Sequence, residues 1–86
     1  MFKVGDIIKL KISDRDSPSV VAVKNIFRAR IMSINIEYGI EKLYYNCLVL
    51  QSDGVKHLPV GRTFINSKIG MDTYFLIDKD NDEEML

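Results

Sequence analysis

The stretch that decides the fold is FRARIMSINI, residues 27–36. In its first half, apolar and cationic side chains alternate, which is the pattern of a half-buried β-strand. In its second half the apolar side chains continue with the opposite parity: Met32, Ile34 and Ile36. A straight strand cannot turn both apolar sets toward one core. We therefore predict one long strand over residues 20–37, with a β-bulge or sharp bend near Ile31 and Met32.

Strands are also predicted on both sides of this stretch. Before it, a Gly5-Asp6 turn signal leads into alternation of aliphatic residues with lysines: Ile8, Lys9, Leu10, Lys11 and Ile12. After it, residues 43–50 alternate as a strand but also match the spacing of an amphipathic helix. We favour the strand, because its Tyr-Tyr and Cys-Leu-Val groups suit sheets and no N-cap precedes the run.

The last third of the chain reads as short elements followed by an acidic tail. Asp53-Gly54 predicts a tight hairpin turn into a return strand over 55–60, which Pro59 must end or confine to a sheet edge. Gly70 predicts a break before a closing segment at 73–77. Residues 78–86 hold five acidic residues and one lysine, so we expect a single domain over 1–77 and a disordered tail.

Composition limits the class of protein. A chain of 86 residues with 47% apolar residues supports one globular core, and its β-branched residues with only two alanines favour strands. The chain has no apolar run of the roughly 20 residues that cross a bilayer, and no signal-peptide pattern. Because Cys47 is the only cysteine, an internal disulfide is excluded. We expect a cytoplasmic protein without membrane contact.

The order of these strands has a likeness among known folds. The residues that carry it are FKVGDIIKL at 2–10, the bent strand beginning FRARI at 27–31, and the strand at 44–50. They resemble the SH3-like small β-barrels, which include Tudor-like and KOW-like modules. The resemblance covers about residues 2–77 and implies an all-β, five-stranded barrel, with an OB-like barrel as the alternative. Such barrels host many functions, so the resemblance implies little about activity.

Size and composition carry a second resemblance. Many Ile, Lys, Asn and Asp residues with few alanines are typical of an AT-rich genome. Together with the small size and the lack of a catalytic motif, they resemble the small accessory proteins of T-even-like phages, many of which modify or block host machinery. This resemblance implies a non-enzymatic protein that binds and inhibits a host protein.

Candidate ligand-binding residues lie on the predicted polar face of the sheet. They are four cations and one aromatic residue: Lys9, Lys11, Arg28, Arg30 and Tyr44. Guanidinium groups two residues apart on a strand can hold phosphate or carboxylate oxygens, and lysines on a neighbouring strand extend the cationic surface. A tyrosine on the next strand can stack a base beside them. The simpler interpretation is the ordinary polar face of a half-buried sheet.

Neither catalysis nor metal binding is predicted. Cys47 alternates with aliphatic residues, so we interpret it as a small core residue and not as a nucleophile paired with His57. DKDND at 78–82 copies the start of an EF-hand loop, but Glu83 stands where that loop needs glycine and the chain ends before its final glutamate. We expect no enzyme activity, metal or cofactor.

Three functions from different classes remain open. The first is binding to a host protein, and the second is an oligomer that sequesters a small anionic ligand such as a nucleotide in a subunit interface. The third is a nucleic-acid-binding barrel, against which the zero net charge and the acidic tail argue. We favour the first.

Overall fold

The computed structural model describes residues 2–37, 39, 42–53 and 58–79. The elements in these ranges are β1 (Ile7–Leu10), α1 (Pro18–Ile26), β2 (Arg28–Glu37), β3 (Lys42–Gln51), β4 (Thr63–Ser67), α2 (Lys68–Tyr74) and β5 (Phe75–Ile77). The strands form one antiparallel sheet in the order β4-β3-β2-β1-β5. The prediction of a mostly β domain with five strands is confirmed, and the structure adds two helices to it.

The predicted bulge in the central strand β2 is confirmed. Its pairing with β3 shifts between Ile31 and Ser33, so Met32 is the extra residue. Ile31 lies opposite Cys47 before the shift, and Ile34 lies opposite Tyr45 after it. The bulge therefore keeps Ile34 on the core side of the sheet with Ile31, while Met32 at the bulge itself is exposed. This is the reason for the change of parity in the sequence.

The ambiguity at residues 43–50 is resolved in favour of a strand. β3 pairs with β2 on one side and with β4 on the other, so its backbone groups are bonded on both edges. Tyr45, Cys47 and Val49 are buried, as their alternation predicts.

The prediction of one strand over 20–37 is wrong in its first part, where residues 18–26 form α1. Ser17 is the N-cap, and its hydroxyl accepts from the backbone N–H of Val20. Pro18 follows in the first turn, where a backbone N–H would have no partner within the helix, so the N–H that proline lacks is not needed. No residue of α1 is fully buried, so its sequence carries only a weak helical pattern. Neither α1 nor α2 is long and apolar enough to cross a membrane.

The segment before β5 also differs from prediction. Residues 58–60 of the predicted return strand are not in a strand, and its residues 55–57 lie outside the described residues. Gly54 of the predicted Asp53-Gly54 turn is also outside them. Gly70 does not break the chain but lies inside α2, which begins where the Ser67 hydroxyl accepts from the N–H of Gly70 at 3.1 Å.

The core lies on one side of the sheet and draws the two edge strands together. Phe64 of β4 and Phe75 of β5 stack with ring centroids 5.8 Å apart, and Phe27 lies 6.1 and 6.2 Å from them. Met71 of α2 is fully buried in the same cluster. The sheet therefore curls around one core, although no backbone pairing between β4 and β5 is found in the described ranges.

Asp78 packs against the sheet directly after β5. Asp78, which we assigned to the tail, is 2% exposed, and its backbone N–H donates to the carbonyl of Ile7 at 2.8 Å. Residues 80–86 of the predicted tail lie outside the described residues.

Candidate binding surfaces

The outer face is the side of the sheet turned away from the core. Lys9 lies opposite Arg28 across the β1–β2 pair, and Ile7 lies opposite Arg30. The expectation that β1 and β2 are neighbours is therefore correct. Four of the five candidate residues share this face: Lys9, Arg28, Arg30 and Tyr44.

Arg28 is held by contacts within the protein. Its Nε pairs with the carboxylate of Asp78, and its Nη1 donates to the carbonyls of Asn25 and Phe27. The Arg28 side chain is 19% exposed and that of Asp78 is 2% exposed. Arg28 thus joins the end of α1 to the residue that follows β5, and these contacts occupy its guanidinium group.

Tyr44 does not lie beside the arginines. In the β2–β3 pair it faces Asn35, whereas Arg30 faces Leu48. Four strand residues separate Tyr44 from Leu48, which places it about 13 Å from Arg30 along the sheet. A hydrogen bond with Glu37 raises the pKa of the Tyr44 hydroxyl above its usual value. The structure therefore does not bring the five candidate residues together in one site.

Lys11 is attached to the end of α2. Its Nζ donates to the carbonyl of Asp72 at 2.5 Å, and its backbone N–H donates to the carbonyl of Tyr74 at 2.8 Å. A cation near the C-terminal carbonyls of a helix is favourably placed. The Nζ bond is to a neutral carbonyl oxygen, so it is not an ion pair.

A groove of about 570 Å³ follows the β1–β5 pair, and we call it the β1–β5 groove. Its cationic and apolar lining residues are Lys9, Lys11, Lys79, Phe2, Leu76 and Ile77. Leu76 lies directly opposite Lys9 in the sheet. Sequence reasoning named Lys9 and Lys11 but missed Lys79, because we counted that lysine as part of the acidic tail.

The acidic groups beside the groove are already paired with cations. The carboxylate of Asp72, which lines the groove, pairs with Lys68 at 2.7 Å, and that of Asp78 pairs with Arg28. None of the three groove lysines, Lys9, Lys11 and Lys79, has an ion pair within the described ranges.

A second surface is apolar and lies on the outer face over β2, β3 and β4. Ile65 is 71% exposed and Met32 is 46% exposed, on opposite sides of β3. Ile65 faces Asn46, which in turn faces Ser33, the neighbour of Met32. With the half-buried Leu48 these residues form what we call the outer patch. Sequence reasoning missed it, although the bulge exposes Met32 and the alternation of Phe64 with Ile65 turns the latter outward.

The Cys47 thiol is fully buried in the core. Burial raises the pKa of Cys47 to about 11, so the group keeps its proton at neutral pH. His57, considered above as its possible base, lies outside the described residues. The part of the chain that the structure describes holds no group of three or more His, Cys, Asp or Glu side chains able to bind a metal ion.

Comparisons with known proteins add no relative. No protein family matches the chain, and no curated protein or solved structure is significantly similar to it. The residues and their geometry therefore carry the functional inference.

Proposed function

We propose that this chain is a non-enzymatic binding module that docks on another protein through the outer patch. The observation that carries the proposal is the exposure of two large apolar side chains, Ile65 of the edge strand β4 and Met32 of β2, on either side of β3. Both side chains belong to strands of the five-stranded sheet, so a partner would meet a surface that is already ordered.

The arrangement of the outer patch supports this proposal. Two strand spacings separate Ile65 from Met32, which corresponds to about 10 Å, and Leu48 fills the space beside them. Polar residues are mixed with these apolar ones: Arg30 and Thr63 face Leu48, and Asn46 lies between Ile65 and Ser33. Protein interfaces commonly combine apolar residues, Met among them, with polar groups.

The proposal includes an SH3-like barrel. The strand order, with β1 between β2 and β5, and the bent central strand are compatible with that fold. The stacked rings of Phe64 and Phe75 support a sheet that curls toward closure. Since such barrels host many functions, the fold supports a binding module without specifying its partner.

The proposed partner is a host protein whose activity is blocked. This part rests on the resemblance of size and composition to the small accessory proteins of T-even-like phages. The non-enzymatic part is supported by Cys47, whose buried, protonated thiol is a poor nucleophile.

The test is purification of the tagged full chain from a bacterial host, followed by binding measurements between the recovered protein and purified variants. Ile65→Asp places a carboxylate at the centre of the outer patch and is expected to weaken binding by about 30-fold, as loss of a central anchor does. Met32→Asp is expected to act in the same direction.

The matched control is Ile69→Asp, because Ile69 is equally apolar and 77% exposed but lies on α2. We expect Ile69→Asp to bind as the unsubstituted chain does. Equal losses in both variants, or unchanged binding by Ile65→Asp, would contradict the proposal. Recovery of nucleic acid, with binding that falls steeply as salt is added, would replace the proposal with the nucleic-acid alternative.

A further inference from the structure

We propose that the β1–β5 groove binds an organic polyphosphate of nucleotide size, with its lysines on the phosphates and its apolar floor against the organic part. This site is separate from the outer patch, which lies on β2, β3 and β4. It therefore goes beyond the proposed docking function and does not depend on it.

The charges around the groove carry the inference. Lys9, Lys11 and Lys79 line one groove, while the nearby carboxylates of Asp72 and Asp78 are paired with other cations. Within the described ranges, no carboxylate forms an ion pair with any of these three lysines. Three lysines along one groove repel one another in the empty protein and attract an anion that binds between them.

Backbone contacts fix the positions of two of these lysines beside the groove. Lys9 is in β1 between its partners in β2 and β5, and Lys11 is tied through its own N–H and Nζ to the end of α2. Ordering a long side chain on binding costs free energy, and Lys11 has already lost part of that freedom.

The size and lining of the groove define the class of ligand. A volume of about 570 Å³ lies in the range of small-molecule sites, which commonly span ~300–1,000 Å³. Lysines act as point charges for phosphate, and several of them suit a ligand with more than one phosphate. Leu76, which lies directly opposite Lys9 on the outer face, provides an apolar surface against which a planar ring can lie.

The experiment is calorimetric titration of the full chain with three probes: ATP, adenosine and inorganic triphosphate. The buffer is free of divalent cations, because they would neutralise the phosphates. We expect ATP to bind with a stoichiometry of one, and both fragments to bind at least about tenfold more weakly, since each makes only part of the contacts. Lys9→Gln and Lys79→Gln are expected to weaken ATP binding by about tenfold each, through loss of a charged hydrogen bond.

Lys3→Gln is the matched control, because Lys3 is exposed just before β1 and does not line the groove. We expect it to leave ATP binding unchanged, and all three variants to unfold at the temperature of the unsubstituted chain. Absence of ATP binding would overturn the proposal. So would ATP binding that is unchanged in both groove variants, or triphosphate binding as tight as that of ATP. Because the outer patch has its own variants, failure of one site leaves the result for the other intact.

Discussion

Burial of the Cys47 thiol affects how the stability of the whole chain depends on pH. It lies in β3 opposite Ile31 on one side and Phe64 on the other, and it is fully buried. Burial raises the pKa of its thiol from 9.0 to about 11, because the thiolate cannot be solvated there. The folded chain therefore holds this proton over a pH range in which the unfolded chain releases it.

We predict that Cys47 lowers stability between pH 9 and 11. Below pH 9 the folded and the unfolded chain both keep the thiol proton, so the contribution of Cys47 to the unfolding free energy is fully present. This contribution is lost as the pH rises toward the folded-state pKa of about 11. The measurement is the urea midpoint at about pH 8 and about pH 10.5 for the unsubstituted chain and for Cys47→Ala. The drop should be larger with the cysteine, and equal drops would argue against the raised pKa. The tyrosines and lysines titrate in both proteins, so their effect cancels when the two drops in urea midpoint are compared.

At the scale of one element, α2 depends on a close approach between the side chain of Asn66 and the backbone of Gly70. A Cβ added at Gly70 would overlap the side chain of Asn66. The Oδ1 of Asn66 accepts from the N–H of Ser67 at 2.9 Å, and Ser67 is the N-cap of α2. Glycine at position 70 therefore allows Asn66 and Ser67 to organise the start of the helix.

We predict that Gly70→Ala destabilises the chain by about 1–2 kcal/mol, because the added methyl displaces Asn66. In an ordinary helix interior the same change would stabilise by roughly 0.5–1 kcal/mol. The measurement is urea unfolding of both single variants and of Gly70→Ala combined with Asn66→Ala. In the Asn66→Ala background the cost of Gly70→Ala should disappear. A cost that persists there would mean that the methyl group meets something other than Asn66.

At the scale of the whole molecule, the end of the domain is defined by Asp78. This residue continues the pairing of β5 with β1 and holds Arg28 at the end of α1. Through its backbone N–H and its carboxylate, Asp78 thereby connects β5 with β1 and with the end of α1. Removing a partner of a buried ion pair leaves the other charge uncompensated, which costs about 3 kcal/mol.

We predict that two truncations differing by one residue behave differently. Deleting residues 79–86 should leave the unfolding free energy unchanged, as expected of an acidic tail, whereas deleting 78–86 should lower it by about 3 kcal/mol. The measurement is urea unfolding of both truncated chains. Asp78→Asn in the full chain should reproduce most of the loss. Equal stability of the two truncations would show that the pair contributes nothing to the fold.

Much of the sheet could be predicted from local pattern. β3 and the first half of β2 bury one face each, so their side chains alternate, and the bulge in β2 is visible as a change of parity at Met32. The helices could not be predicted in the same way. α1 buries no residue completely, and α2 has only seven residues, with one of them, Met71, buried. The N-caps Ser17 and Ser67 were the local signals for both helices, and we did not use them.

The sequence by itself determined the β character of this protein, its central strands and the inert, buried place of Cys47, because each depends on the alternation of neighbouring side chains. The tertiary structure alone decided the roles of the charged residues. Arg28 was a candidate ligand group and is instead bound to Asp78, while Lys79 joins Lys9 and Lys11 in one groove. Both outcomes follow from the pairing of β5 with β1, which brings together residues far apart in the chain and has no signature in local sequence.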